Sequence, residues 1–284
     1  MAFNFEQDSI KNYVAENKDI ILKDIVFGTY GDTIQLMTKQ LGVKTSEKIH
    51  PSHLEVVLQD GKDCGFTSQG GLTFSERTIN TEVKKVNMDF CPEQLLNTFA
   101  EYSVRVAANP DALPFEAEVI EGVAKSINKQ VEEGVWGQLL NADGINGTST
   151  EKTDAYEIIM DAYMALDERV LEDAILFVRP SLFRAYIKAL VDKNLYHYNP
   201  ADGDLQEIFI PGAGVKVRKA KGITTNDVFG TSPRNMIYGT DFLENKEEIK
   251  FWFSDDDDVY KLKSRFNYGA QVAFPDLVTK ITYA

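Results

Sequence analysis

Two stretches in the middle of the chain alternate apolar and polar residues with the spacing of amphipathic helices. Between residues 155 and 170, apolar side chains recur every three or four positions, and Thr153 is the expected N-cap. A second helix is predicted to begin at Pro180, because proline suits the first helical position. The apolar run 174–178 between them predicts a short buried strand. This order of helix and strand, continued to residue 221, predicts an α/β or α+β unit.

The longest helix is predicted over residues 114–141. Pro114 suits its first position, Glu116 lies in its first turn, and Asp143-Gly144 is a plausible stop. Its apolar residues recur at every fourth position from 115 to 139. Because an α-helix has 3.6 residues per turn, such a stripe drifts around the helix by about 40° per step. The pattern indicates a central spine that meets different neighbours along its length.

A polar, extended region precedes this helix. Residues 54–59 have the composition of a strand and are followed by the turn pair Asp60-Gly61 and a glycine-rich patch. Residues 72–90 are rich in β-branched side chains and interleaved with charges. We expect an extended two-stranded excursion here, with too little apolar surface to form a core of its own.

Composition narrows the possible functions. The chain has 284 residues, 43% of them apolar, and a net charge of −14. That size supports a real core, and that charge repels phosphate backbones, which argues against a sequence-reading DNA protein. Its cysteines, Cys64 and Cys91, cannot form a framework of bridges, so we expect a reduced, intracellular protein. No signal peptide and no apolar run of membrane-spanning length is present, and no membrane partner is expected.

The most acidic stretch is the aspartate run at residues 255–258. Both flanks alternate with period two, which places the run at the turn of a hairpin. A calcium-binding loop starting at Asp255 would need glycine at its sixth position and glutamate at its twelfth, where the chain has Tyr260 and Phe266. A solvated turn beside the basic strand 261–265 is therefore favoured over a metal site.

Other candidate residues have ordinary interpretations. His50 and His53 flank a proline in a chain with three histidines, so they are interpreted as loop residues. Cys91 is expected to pack rather than react. A basic strand is interpreted as solvated or as pairing with another subunit, in preference to binding nucleic acid; its cations are Lys216, Arg218, Lys219 and Lys221. No nucleotide-binding, hydrolase or zinc-protease motif occurs, so we predict no enzyme activity and no catalytic, cofactor-binding or metal-binding residue.

Several stretches, taken in order, resemble the major capsid proteins of tailed bacteriophages with the Hong Kong 97-type fold. Residues 63–79 resemble the E-loop of that family, residues 86–99 resemble the start of its P domain, and residues 113–137 resemble its spine helix. Residues 175–194 resemble a strand and helix of its A domain, and residues 211–223 resemble the central strand that follows. The closing segment of capsid proteins from phages of Bacteroides-like gut hosts is resembled by residues 238–242 together with 252–278. No single motif is specific, and the resemblance lies in the ordered succession over residues 55–280.

The resemblance implies an α+β fold of the Hong Kong 97 type. Its parts are expected as an N-terminal arm (1–50), an extended E-loop hairpin (51–86), a P domain with the spine helix (87–150), an A domain (151–236), and a strand-rich return to the P and A domains (237–284). Charged residues of the hairpin strand, expected to project from the body, are candidate contacts between subunits: Glu76, Arg77, Glu82, Lys84 and Lys85. Lys62, Lys84 and Lys85 are candidates, by region only, for the covalent cross-link of some family members.

The implied function is a virion shell. The family resemblance implies a protein that assembles with itself into pentamers and hexamers around double-stranded DNA, which it would contact without sequence specificity. The expected partners are a portal protein and a separate scaffolding protein, since residues 1–50 are short for a scaffolding segment and resemble a packed arm. Assembly is expected in the bacterial host cytoplasm. The alternatives are an encapsulin-type nanocompartment shell with the same fold and, in another class, an acidic metal-dependent hydrolase built around residues 255–258.

Overall fold

The computed structural model describes residues 9–27, 33–58, 69–94, 98, 115–195, 205–241 and 248–284. Its helices are α1 (Ser9–Glu16), α2 (Lys18–Phe27), α3 (Thr33–Leu36), α4 (Phe115–Leu140), α5 (Ala155–Met164) and α6 (Pro180–Asp192). Its strands are β1 (Thr38–Leu41), β2 (Ser46–Ile49), β3 (Ser52–Val56), β4 (Gly70–Phe74), β5 (Arg77–Asn80), β6 (Glu82–Phe90), β7 (Gly147–Thr150), β8 (Ile175–Val178), β9 (Glu207–Phe209), β10 (Lys216–Lys219), β11 (Asp227–Thr231), β12 (Met236–Thr240), β13 (Glu248–Ser254), β14 (Val259–Val272) and β15 (Thr279–Tyr283).

Helix α4 is the predicted spine. It buries residues along its whole length in the main core, from Ile120 to Leu140. Near its end, Trp136 packs its ring 5.2 Å from that of Phe177 and 5.6 Å from that of Phe229, which belong to strands β8 and β11. The drifting apolar stripe thus lets one helix contact two sheets. None of the helices in the described ranges is long and apolar enough to cross a membrane.

A five-stranded sheet lies against the spine. Strands β1, β12, β14 and β13 follow one another across it, and β6 pairs with β14 over nine residues, from Glu82 opposite Tyr268 to Phe90 opposite Tyr260. Strand β1 joins parallel to β12, which lies about 200 residues further along the chain. The inward side chains of this sheet, including Tyr238, Leu262 and Phe266, are buried in the main core.

The N-terminal helices complete that core. The apolar clusters predicted to form a packed arm are buried in α2 at Ile21, Leu22, Ile25 and Val26, although Ile20 is exposed. Helix α2 packs on the spine and α1 on strand β13. Tyr238 of β12 donates its hydroxyl hydrogen bond to the Val26 carbonyl at 2.9 Å. The predicted packed arm is therefore confirmed for the residues described.

A six-stranded sheet forms the second half of the molecule, in the order β7, β15, β11, β8, β10, β9. With α5 and α6 it encloses a separate apolar core. Strand β8 and helix α6 are at the predicted positions, and Pro180 is at the start of α6. The N-cap of α5 was predicted wrongly: Asp154, not Thr153, accepts the hydrogen bond from the Tyr156 amide at 2.9 Å. Strand β7, which the sequence division assigned to the P domain, pairs with β15 in this sheet.

The extended region forms an arm of two successive strand pairs. Strand β2 pairs with β5 at the base, and β3 pairs with β4 beyond it. The predicted hairpin over residues 51–86 therefore needs correction: the paired arm begins at Ser46 and returns at Asn80, and β6 belongs to the body sheet. The reason is that Val86 and Phe90 pack against the main core, which holds β6 beside β14.

Candidate functional site

The outer part of the arm is an amphipathic hairpin without a core. In the β3–β4 register, Leu54 lies opposite Leu72, Ser52 opposite Phe74, and Val56 opposite Gly70. Directly opposite residues share a face of the sheet, and alternate residues along a strand also share it. One face of the hairpin therefore carries four apolar side chains, and these are largely exposed: Leu54 (65%), Val56 (72%), Leu72 (52%) and Phe74 (66%).

The base of the arm is anchored firmly. Ile79 of β5 is fully buried in a small cluster with Val43, Ile237 and Ala273. Arg77 donates from Nη2 to the Asp143 carbonyl just after the spine helix. Further out, Gly70 has φ +89°, and a Cβ there would lie 2.4 Å from the Glu55 carbonyl oxygen. Only glycine allows the two strands to approach this closely at residue 70. The sequence therefore specifies the geometry of the hairpin, although no apolar core lies beneath it.

Two of the predicted contact residues, Glu76 and Arg77, lie at this base and have partners in the chain. Glu76 forms an ion pair with Lys48 at 2.6 Å, and the hydrogen bond from Lys48 lowers the pKa of its carboxyl. Arg77 makes the bond to Asp143 already described. The Arg77 side chain therefore joins the arm to its own body, whereas the Glu76–Lys48 ion pair lies within the arm. The predicted role of Glu76 and Arg77 in contacts between subunits stays a prediction.

The other three predicted contact residues lie on β6. Lys84 forms an ion pair with Glu82, whose hydrogen bond raises the Lys84 pKa. Lys85 donates to the side-chain oxygen of Asn87 at 3.1 Å in the favoured orientation of that amide. The expectation that this strand projects from the body is wrong, because it pairs with β14 throughout. Lys62, the remaining cross-link candidate, lies outside the described residues.

The aspartate run forms the turn between β13 and β14, as predicted. Asp257 accepts hydrogen bonds from Lys261 and from Ser254, and the Lys261 bond lowers the pKa of its carboxyl. Asp258 has φ +54°, a left-handed conformation that aspartate tolerates in turns. Within the described ranges, no group of three or more His, Cys, Asp or Glu side chains is placed to hold a metal ion.

Two smaller predictions need correction. His53 lies in strand β3 rather than in a loop, whereas His50 does lie outside the strands. The basic strand β10 pairs with β8 on one edge and with β9 on the other, so no edge is left for the predicted pairing with another subunit. Its Lys216 and Arg218 both bind Glu207 of β9, at 2.6 and 3.0 Å. Burial raises the Glu207 pKa, but these two cations outweigh burial and lower it.

The apolar face of the β3–β4 hairpin was missed by the sequence reasoning. Its signal was present, since Leu54 and Val56 alternate with polar neighbours, and so do Leu72 and Phe74. Each run is only five residues long and lies beside glycines and charges, so the region as a whole was interpreted as polar. The face becomes apparent only when the register brings the two runs together.

No family model matches the chain, and no curated protein does. Solved structures do resemble it. A chain of the satellite phage P4 procapsid, in a structure that includes the size determination protein Sid, matches with TM-score 0.64 and 8% identity, covering 94% of this chain and 91% of that one. The Gordonia phage Cozz structure matches with TM-score 0.58 and 12% identity, covering 89% and 86%. A virus-like particle from Pyrococcus furiosus matches with TM-score 0.55 and 11% identity, covering 92% and 95%. The predicted Hong Kong 97-type fold is confirmed.

Proposed function

We propose that this protein is the major capsid protein of a tailed phage, a subunit that assembles with copies of itself into the shell of a virion. The observation that carries the proposal is the exposed apolar face of the β3–β4 hairpin, on a chain whose fold matches capsid proteins over about nine tenths of both lengths. An isolated two-stranded hairpin is marginal in water, and a contiguous apolar face usually marks a contact surface. A neighbouring copy would cover it.

The proposed shell consists of pentamers and hexamers and encloses double-stranded DNA. A net charge of −14 per copy supports an inner surface that repels the phosphate backbone, so the DNA would be confined without being bound by sequence. A portal protein would supply the entrance for the DNA, and a separate scaffolding protein would set the curvature. The resemblance of residues 252–278 to capsid proteins from phages of Bacteroides-like hosts supports assembly in the cytoplasm of such a bacterium.

The test is the assembly state of the purified protein, measured by sedimentation velocity and negative-stain microscopy. We expect capsomers, tubes or shells of mixed diameter when the chain is expressed alone, because nothing then selects one curvature. A stable 31.9 kDa monomer over a wide concentration range would contradict the proposal. Uniform closed shells from this chain alone would contradict the separate scaffold and favour the encapsulin-type alternative.

The contents of particles from the native source separate these two shells. Packaged DNA supports the virion, whereas a single enclosed protein supports a nanocompartment. The hydrolase alternative has no observation in its favour within the described residues, since the aspartate turn bonds to Lys261 and Ser254. A chelator is expected to leave the melting temperature unchanged, and a calcium-dependent rise in that temperature would reopen the metal-site interpretation.

A further inference from the structure

The outward face of strands β6, β14 and β13 carries a concentration of positive charge. The register places Lys85 opposite Arg265, Lys250 opposite Lys263, and Asp89 opposite Lys261. The intervening residues on β14, such as Leu262 and Ser264, point inward and are buried. The cations of this outward face, here called the cationic face, are Lys85, Lys250, Lys261, Lys263 and Arg265.

The positive charge of this face contrasts with the net negative charge of the whole chain. The chain has 44 acidic and 30 basic residues, yet five cations share one small face with two acidic positions, Asp89 and Glu248, the latter opposite Arg265. Lys261 binds Asp257, and Lys85 binds only the neutral amide of Asn87. Lys263 and Arg265 form no ion pair with any residue in the described part of the chain. Trp252 and Met88 line a groove of about 680 Å³ between these charges. Such a face is complementary to an acidic surface.

An acidic surface lies on the same hairpin, at its tip. Asp255, Asp256 and Asp258 are exposed and, unlike Asp257, form no hydrogen bond or ion pair with the described residues. Seven residues, Val259 to Arg265, separate the tip from the far end of the cationic face, and the steps between them span about 20 Å at 3.4 Å per residue. The tip therefore cannot reach that end within one molecule.

We propose that the cationic face of one copy binds the aspartate turn of a second copy. The inference rests on the proposed function, which supplies many copies side by side. Each copy would use its face toward one neighbour and its turn toward another, a head-to-tail contact that repeats around a closed assembly. A duplex nucleic acid fits less well, because the adjacent aspartate turn and the acidic chain repel its phosphates, whereas a second copy neutralises both charge sets.

The experiment is a charge swap followed by sedimentation velocity at low and high salt. The face variant is Lys263→Glu with Arg265→Glu. The turn variant is Asp255→Lys, Asp256→Lys and Asp258→Lys, and a third protein combines both sets. A matched control reverses two exposed cations on α6, with Arg184→Glu and Lys188→Glu. Melting curves establish that each variant is folded, which we expect because all the altered side chains are on the surface.

Each of the first two variants should need about tenfold more protein than the wild type to assemble at low salt, and the combined variant should recover most of that loss. The control should assemble like the wild type. An equimolar mixture of face and turn variants should also assemble, since each then meets its opposite charge.

Three outcomes would overturn the inference. Unchanged assembly of the face variant would show that the face makes no such contact, and a combined variant no better than the single ones would show that face and turn do not meet. Loss of binding to a duplex DNA probe by the face variant, with assembly intact, would assign the face to nucleic acid. A wild-type protein that stays monomeric would instead refute the proposed function, and the two failures are thereby distinguished.

Discussion

Two hairpins of the molecule, β3–β4 and β13–β14, alternate apolar with polar side chains, but the described residues cover the apolar face of β13–β14 and leave that of β3–β4 exposed. In β13–β14, Ile249, Phe251 and Leu262 are buried. In β3–β4, the corresponding face exposes Leu54, Val56, Leu72 and Phe74. The alternation has the same physical meaning in both hairpins: one face requires a partner. Whether that partner lies in the same chain depends on what packs beneath the hairpin.

The covered hairpin has neighbours on its inward face and along the edge of β14. The spine helix and α1 pack against its inward face, and β6 adds a third strand along β14. Among the described residues, the exposed hairpin joins the body through the strand pair at its base, where Ile79 is buried. Burial of apolar surface is therefore expected to stabilise β13–β14 within the monomer. It is expected to stabilise β3–β4 only within the assembly.

The largest effect on the free energy of unfolding should come from truncating a buried side chain of the covered hairpin. Leu262→Ala removes a buried side chain from the main core and should lower the free energy of unfolding by about 2–5 kcal/mol. Urea denaturation of the unassembled protein measures it. A loss below about 1 kcal/mol would indicate that this hairpin is not held by the core, and the contrast between the two hairpins would fail.

The exposed hairpin should show the opposite behaviour. Replacing Leu54 and Phe74 with serine removes apolar surface that nothing in the described chain covers, so the free energy of unfolding should change by less than about 0.5 kcal/mol. Assembly should be lost, as measured by light scattering. The control is Thr73→Ser on the other face of the hairpin, which should assemble normally. Equal damage to folding and assembly would show that the arm is packed within its own chain.

A smaller effect is expected at the tip of the covered hairpin. Asp256→Ser with Asp257→Ser removes charges from a solvated turn, and the melting temperature of the unassembled protein should move by less than about 3 °C. A larger fall would mean that the turn, and not only the core beneath the strands, holds this hairpin in place.

The smallest effect concerns the pH dependence of Asp257. The hydrogen bond from Lys261 keeps the pKa of Asp257 in the folded protein below its ordinary value of about 3.9. The charged carboxylate therefore contributes stability above pH 4, and that contribution is lost as the pH falls through the depressed pKa. The small difference in melting temperature between wild type and Asp257→Asn should shrink as the pH falls below 4 and disappear once the pH lies below the depressed pKa. A difference that persists there would assign the stabilisation to something other than this charge.

Individual helices, strands and turns were predictable where the periodicity and the start or stop residues all lay within one short segment. The spine helix was predicted over residues 114–141 and is observed at Phe115–Leu140, because its period and its proline start are local. Strand β8, helix α6 and the aspartate turn were equally local. The N-cap of α5 was missed by one residue because Thr153 and Asp154 are both good caps, and backbone geometry decides between them.

What only the tertiary structure decided is which strands meet. The extended character of residues 72–90 was visible and was interpreted as a projecting arm, but Val86 and Phe90 pack against the main core beside β14, which places β6 in the body. The apolar face of β3–β4 and the cationic face of β6–β14–β13 likewise exist only through register between distant strands. The sequence by itself determined the period of each segment, because helix and strand periods follow from local backbone geometry. Surfaces assembled from several strands depend on long-range packing, and no local pattern encodes it.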